Sequence, residues 1–180
     1  MPRLVLIADD DGLVAKGDSL DGDILVSLGD LWDYTIERAF SHHECRHAVA
    51  VKGNHDSDEQ FPEFVKPLHF TIEEINGLLF GGFNGSWKYK PKGHHMFEQH
   101  EVKRLLRSFP RVDVFVAHNS PAGIHERDND VHQGFVGFTE YIERAKPKYF
   151  LHGHQHSNRI TQVESTTVVG IFGESTLDIG

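Results

Sequence analysis

Seven short apolar runs recur along the chain, and most of them stop at a glycine or a polar turn: "RLVLIADDDG", "GDILVSLGD", "HAVAVKGNHD", "GLLFGGFNGS", "VDVFVAHNSP", "KYFLHGHQH" and "STTVVGIFG". Short runs rich in Val, Ile, Leu and Phe, bounded by turn signals, read as buried strands. Between them the pattern predicts helices over about 33–44, about 57–66, about 98–108 and about 136–146. In the third of these, Val102, Leu105, Leu106 and Phe109 fall at three- and four-residue steps on one face, as on an amphipathic surface helix. The segments "TIEEINGLLFGG" and "RITQVESTTVVGIFG" look like antiparallel hairpins. Strands alternating with helices, with no repeat and no low-complexity linker, predict an α/β architecture in a single domain over residues 1–180.

In α/β sheets, ligands gather beyond the carboxyl ends of the strands. Five of the run ends carry potential ligands: Asp9, Asp10 and Asp11; Asp30 and Asp33; Asn54, His55 and Asp56; His118; and His154 with His156. Cys45 is the sole cysteine, which excludes an intramolecular disulfide and a thiolate cluster, so a metal here must use His, Asp, Glu or Asn. Oxygen donors mixed with imidazoles suit divalent Mn, Fe, Zn, Co or Ni better than calcium. The candidates exceed the needs of one ion and point to two. A formal charge of −9 argues against a protein that holds nucleic acid by a broad basic face. No apolar run approaches the roughly 20 residues needed to cross a bilayer, so no membrane partner is expected and the expected location is cytoplasmic. Nothing in the pattern fixes an oligomeric state.

The ordered set D-x-D-G, G-D-x-x-D, G-N-H-D, H-x-x-P and G-H-x-H runs from residue 9 to residue 156 and resembles the calcineurin-like metallophosphoesterase family, whose pattern is D-x-H, G-D-x-x-D, G-N-H-D/E, H and G-H-x-H. The resemblance implies two packed mixed β-sheets flanked by helices, an αββα sandwich with a two-metal site at the strand ends. It implies one ion held by Asp9, Asp11, Asp30 and His156 and another held by Asp30, Asn54, His118 and His154, with Asp30 bridging. His55 would contact the phosphate and help the leaving group depart, and Asp56 would support its protonated form. Gly29 and Gly53 would keep the backbone close to the ions, with Asp33 behind the ligands. The implied activity is hydrolysis of a phosphate mono- or diester of a small molecule or nucleotide by a hydroxide bridging the two ions. Manganese is the foremost metal, with Fe, Zn, Ni, Co and Mg as alternatives.

One position departs from the family pattern. Asp11 stands where the family usually has His, and its hard oxygen should shift that site toward Mn or Mg. Three consecutive Asp leave Asp10 as an alternative ligand, although alignment on Gly12 favours Asp11.

His152 lies one step back in its strand and is read as a buried, hydrogen-bonded residue rather than a ligand. The stretch "GGFNGSWKYKPKGHHMFEQH" reads either as a mobile loop reaching over the metals with Trp87 and Tyr89, or as a solvated surface loop. "ERDNDVHQGF" is read first as a surface loop, with presentation of His132 to substrate as the alternative. Trp32 is expected to pack rather than to stack on substrate. Two competing functions remain: a non-catalytic scaffold of the same fold, like the retromer subunit that uses it for protein contacts, and a hydrolase of acyl rather than phosphate esters. An intact G-N-H-D with His55 favours phosphoester catalysis over the scaffold.

Overall fold

The structure, a computed structural model, describes residues 1–180. The chain begins with β1 (Arg3–Ala8), β2 (Ile24–Ser27), α1 (Asp33–His42), β3 (His47–Ala50) and β4 (Val65–Pro67). It continues through β5 (Ile72–Ile75), β6 (Leu78–Phe83), β7 (Ser86–Trp87), β8 (Met96–Phe97) and α2 (Gln99–Leu106). The last part holds β9 (Val114–Ala117), a 3-10 turn at Asp130–His132, α3 (Val136–Ala145), β10 (Tyr149–His152), β11 (Arg159–Val163), β12 (Thr166–Gly170) and β13 (Gly173–Asp178).

One sheet has the order β13-β1-β2-β3-β4, parallel except for β13. The other has the order β11-β12-β10-β9-β6-β5, with parallel strands in the middle and an antiparallel hairpin at each edge. Both hairpins are the ones the turn signals predict.

Period-two alternation decides the layers. In β1, Leu4, Leu6 and Ala8 face a cluster between the sheets that also takes Val26, Val49, Phe80, Val116 and Leu151. Val5 and Ile7 face the other way, where Ile36 and Ala39 of α1 cover them. On the far side, Phe115 and Phe150 leave the second sheet to meet Leu106 of α2 and Phe138 and Tyr141 of α3. Two mixed sheets thus pack face to face with helices on both outer surfaces, as expected for the α/β sandwich. Each fully buried Leu or Phe side chain adds about 1.5–3 kcal/mol, so strands buried on both faces anchor the frame.

Three expectations are corrected. No helix forms over 57–66; the segment is a turn-rich stretch leading into β4, which pairs with β3. Pro62 removes a backbone donor in the middle of that window and disfavours helical geometry at Phe61 before it. β13 lies outside the expected strands because its sequence, "GESTLD", carries only one large apolar residue; it is an edge strand paired only with β1. Trp32 does not pack in the interior, since the residue is 74% exposed.

Candidate metal centre

Within the first sheet β1, β2 and β3 run parallel, and within the second β9 and β10 do, so each set delivers its carboxyl ends to one edge. Asp9 follows β1, Asp30 follows β2 and Asn54 follows β3; His118 follows β9 and His154 follows β10. Asp9, Asp30, His154 and His156 all adopt left-handed backbone, with φ of 65°, 56°, 63° and 48°. Such conformations cost on the order of 1–3 kcal/mol each in a non-glycine residue and persist only where the surroundings hold them. Here they turn side chains back over the strand ends. Gly29, at φ 96°, admits the close approach: a methyl there would lie 2.5 Å from the Gly53 nitrogen and 2.8 Å from His118 Nδ1.

The ligand atoms of Asp30, His118 and His154 lie within 4.8 Å of one another. His118 Nδ1 donates to the Leu28 carbonyl at 2.7 Å, which bonds the end of one sheet to the end of the other. Its Nε2 then faces two oxygens, Asn54 Oδ1 at 3.1 Å and Asp30 Oδ2 at 3.3 Å. Asn54 Nδ2 donates to the Tyr89 hydroxyl at 3.2 Å, which fixes the amide with its oxygen toward the centre. His154 Nε2 donates to the Val131 carbonyl at 3.1 Å, leaving Nδ1 as the free ring nitrogen. The candidate set Asp30, Asn54, His118 and His154 is therefore assembled.

Asp9 stands beside it. Its Oδ2 accepts from the His154 amide at 2.9 Å, and its Oδ1 is buried without a hydrogen-bond partner, 4.0 Å from His118 Nδ1. Asp11 and His156 lie outside the assembled cluster. Asp11 Oδ1 accepts from the Trp32 amide at 3.0 Å, and the exposed His156 ring lies 5.0 Å from that of Phe172. Asp10 closes its own turn by accepting from Gly12 at 2.8 Å. His55 is exposed; its amide donates to Asp30 Oδ1 at 2.8 Å, and its ring makes no hydrogen bond. Asp56 Oδ2 accepts from the amides of Gly53 and Asp30, at 2.6 and 2.9 Å, so this carboxylate organises the turn that carries Asp30.

Burial and mutual charge polarise these groups. Burial pushes the Asp9 carboxyl up to about 7. Burial also opposes the charge of Asp30, but the adjoining His118 outweighs it and holds that carboxyl below the usual range. For His118 burial disfavours the imidazolium, yet Asp30 and Asp9 carry its pKa up to about 10. Burial holds His154 neutral, well below its ordinary value. An imidazole nitrogen aimed at two oxygens must carry either a proton or share a cation with them; without a metal, the proton is retained.

Around the centre, His152 Nδ1 donates to the Gly153 carbonyl at 2.9 Å, so its Nε2 accepts from His125 at 2.8 Å, and His125 accepts from the Thr161 hydroxyl at 2.8 Å. This neutral chain braces the strand end behind His154. The His132 ring lies 4.9 Å from that of His154, and the Arg127 guanidinium touches His132. Trp87 packs against the second sheet's outer cluster while Tyr89 reaches Asn54. Two residues escape the sequence reading. Gln155 ties the 119–133 segment down through Ser120 Oγ and the His132 carbonyl, both at 2.9 Å, and its only signal is its place between two histidines. Arg127 carries no signal beyond its charge.

The family model of the calcineurin-like phosphoesterase superfamily domain matches residues 9–172. A lariat debranching enzyme of Drosophila melanogaster is 25% identical, over 60% of this chain and 28% of its own length. The chain thus spans under a third of that curated relative. In three dimensions it resembles TT1561 of Thermus thermophilus, with a TM-score of 0.64 and 14% identity over 94% of this chain and 88% of the other. It is also similar to the phosphopantetheinyl hydrolase PptH of Mycobacterium tuberculosis, with a TM-score of 0.62 and 11% identity over 95% and 89%. At these identities the structural likenesses speak to the fold.

Proposed function

The chain belongs to the calcineurin-like phosphoesterase superfamily, and from that premise we propose that it hydrolyses a phosphate mono- or diester of a small molecule or nucleotide at a centre of two divalent cations. The observation that carries the reading is the buried, unpartnered Oδ1 of Asp9, 4.0 Å from the His118 ring at Nδ1, together with a His118 Nε2 that faces the oxygens of Asn54 and Asp30. A buried carboxylate oxygen without a donor is costly, and a cation relieves it. The donor set therefore fits a metal.

Asp30, Asn54, His118 and His154 would hold one ion; Asp9, Asp11, Asp30 and His156 would hold the other. Two such ions would supply charge neutralisation for the phosphoryl oxygens and a nucleophile from water at neutral pH. The chain's own part is to orient and to move a proton. Leu28 and Val131 fix the ring tautomers of His118 and His154 through their carbonyls. The Tyr89 hydroxyl holds Asn54, and Asp56 holds the turn beneath Asp30. The exposed imidazole of His55, whose backbone amide donates to Asp30 Oδ1 at 2.8 Å, would donate a proton to the departing alkoxide oxygen.

Manganese is the preferred ion in this reading because Asp11 contributes an oxygen where an imidazole is usual. The Asp11→His variant should then gain Zn and Co occupancy at the expense of Mn. The decisive experiment adds Mn, Mg, Ni, Co and Zn separately to metal-stripped protein and follows p-nitrophenyl phosphate and bis-p-nitrophenyl phosphate. Metal-restored turnover is expected, and the ratio of the two rates separates monoester from diester preference. Protein that binds two ions per chain and hydrolyses neither ester would end the proposal.

A further inference from the structure

We infer that Trp32 is a stacking platform for a nucleobase carried by the substrate, set at the rim of the metal centre; the inference rests on the phosphoesterase reading above. The residue is 74% exposed, an unusual fate for a tryptophan. It occupies the N-cap of α1, where Ser, Thr, Asp or Asn would satisfy a free backbone N–H, and no side chain caps this helix. Two local rules are thus broken at one residue: a cap is forgone, and a large apolar ring is left in water. Contacts within the chain recover neither, and such coincident departures belong to functional positions.

The backbone ties Trp32 to the site. Its amide donates to Asp11 Oδ1 at 3.0 Å. Arg38, further along α1, donates from Nη2 to the carbonyls of Asp11 at 3.1 Å and Val14 at 2.9 Å, and its guanidinium lies 5.6 Å over the Tyr34 ring. The indole is therefore carried on the start of a helix that is pinned to the Asp9–Asp11 turn. Tyr34, two residues further along and beneath the Arg38 guanidinium, is 66% exposed.

The chemistry selects the occupant. Asp11, whose Oδ1 takes the Trp32 amide, and Asp33, the next residue along the chain, repel a bare anion, so this rim is no second phosphate site. The same carboxylates accept from the N–H edges of bases, and every base offers a π-face for stacking. An ester with its phosphorus at the centre extends its remaining substituent outward, and the Asp11–Trp32 contact sets this rim in its reach. A planar group with donor edges suits a rim built from an indole and carboxylates.

The test uses two diesters with the same leaving group, adenosine 5′-(p-nitrophenyl phosphate) and methyl p-nitrophenyl phosphate, on the metal-loaded protein. In Trp32→Ala the preference for the nucleoside ester, as a ratio of kcat/KM values, should fall about tenfold, mostly through KM, and Trp32→Tyr should restore most of it. Independently of turnover, AMP should quench indole fluorescence saturably in the parent and not in Trp32→Ala. A parent that hydrolyses neither of these diesters nor the monoester p-nitrophenyl phosphate, yet shows Trp32-dependent quenching, would overturn the phosphoesterase reading while keeping the base platform. An unchanged preference, or in an inactive parent the absence of Trp32-dependent quenching, overturns the inference and gives the exposed indole to a protein partner instead.

Discussion

His118 Nε2 lies 3.3 Å from Asp30 Oδ2, a contact between the end of one sheet and the end of the other. The pair is the joint of the centre, because it is made only when the sheets pack in register. His118 arrives there with its other nitrogen already committed to the Leu28 carbonyl at 2.7 Å, so Nε2 is the single atom through which it can meet a proton or a cation.

Metal uptake should therefore displace a proton. His118 is held protonated up to about pH 10 by Asp30 and Asp9, against the effect of burial. Apparent Mn affinity is expected to rise about tenfold per pH unit between pH 7 and 9, with about one proton released per ion at the His118 site. Calorimetric titrations in buffers of different ionisation enthalpy measure this directly, and affinity independent of pH would contradict the assignment of His118.

His55 should matter to chemistry and not to assembly. Its ring is exposed, and only its backbone amide bonds Asp30. His55→Ala is expected to lower kcat on an alkyl phosphate ester by about 10²–10⁴, with a smaller loss on a p-nitrophenyl ester, whose leaving group needs no proton. Mn binding should stay within about twofold. Equal losses on both esters would remove the proton-donor role.

Gly53→Ala tests the fit of the backbone beneath Asp30. The added methyl would lie 2.6 Å from Asp30 Cγ and 2.6 Å from its nitrogen. Relief requires the carboxylate to move, at a stability cost of about 1–3 kcal/mol and a loss of about 10–100-fold in metal affinity. Denaturant unfolding and metal titration of the same variant separate the two effects; unchanged metal affinity would show that Asp30 is not held where it is needed.

Acid should unfold the protein partly through His152. Burial pulls its pKa down to about 3, so the folded state excludes a proton that the unfolded chain takes up below about 6.5. The stabilisation is full above about pH 6.5 and is lost as pH falls toward 3; from pH 7 to pH 5 this one site costs about 2 kcal/mol. Urea unfolding at the two pH values, compared with His152→Gln, checks it. A variant with the parent's full pH dependence would assign the effect elsewhere.

The alternating apolar strands, the two edge hairpins and the strand ends carrying Asp9, Asp30, Asn54, His118 and His154 are all readable in the sequence, because burial on both faces leaves an uninterrupted apolar run that stops abruptly. What sequence alone determined is this local order: which residues leave a strand and with what donor atoms. The helix expected at 57–66 does not form because Pro62 outweighs the apolar spacing, and β13 is hidden because an edge strand needs little apolar content of its own. Trp32 and Gln155 cannot be placed from spacing, since exposure and hydrogen bonding depend on neighbours far away in the chain. Only the tertiary structure decided that residues 9, 30, 54, 118 and 154 converge, that Asp9 Oδ1 is left without a donor, and that His118 is forced to hold a proton where a metal would bind. Those are properties of two sheets packed with their strand ends together, where desolvation and close charges act on groups that sequence order keeps far apart.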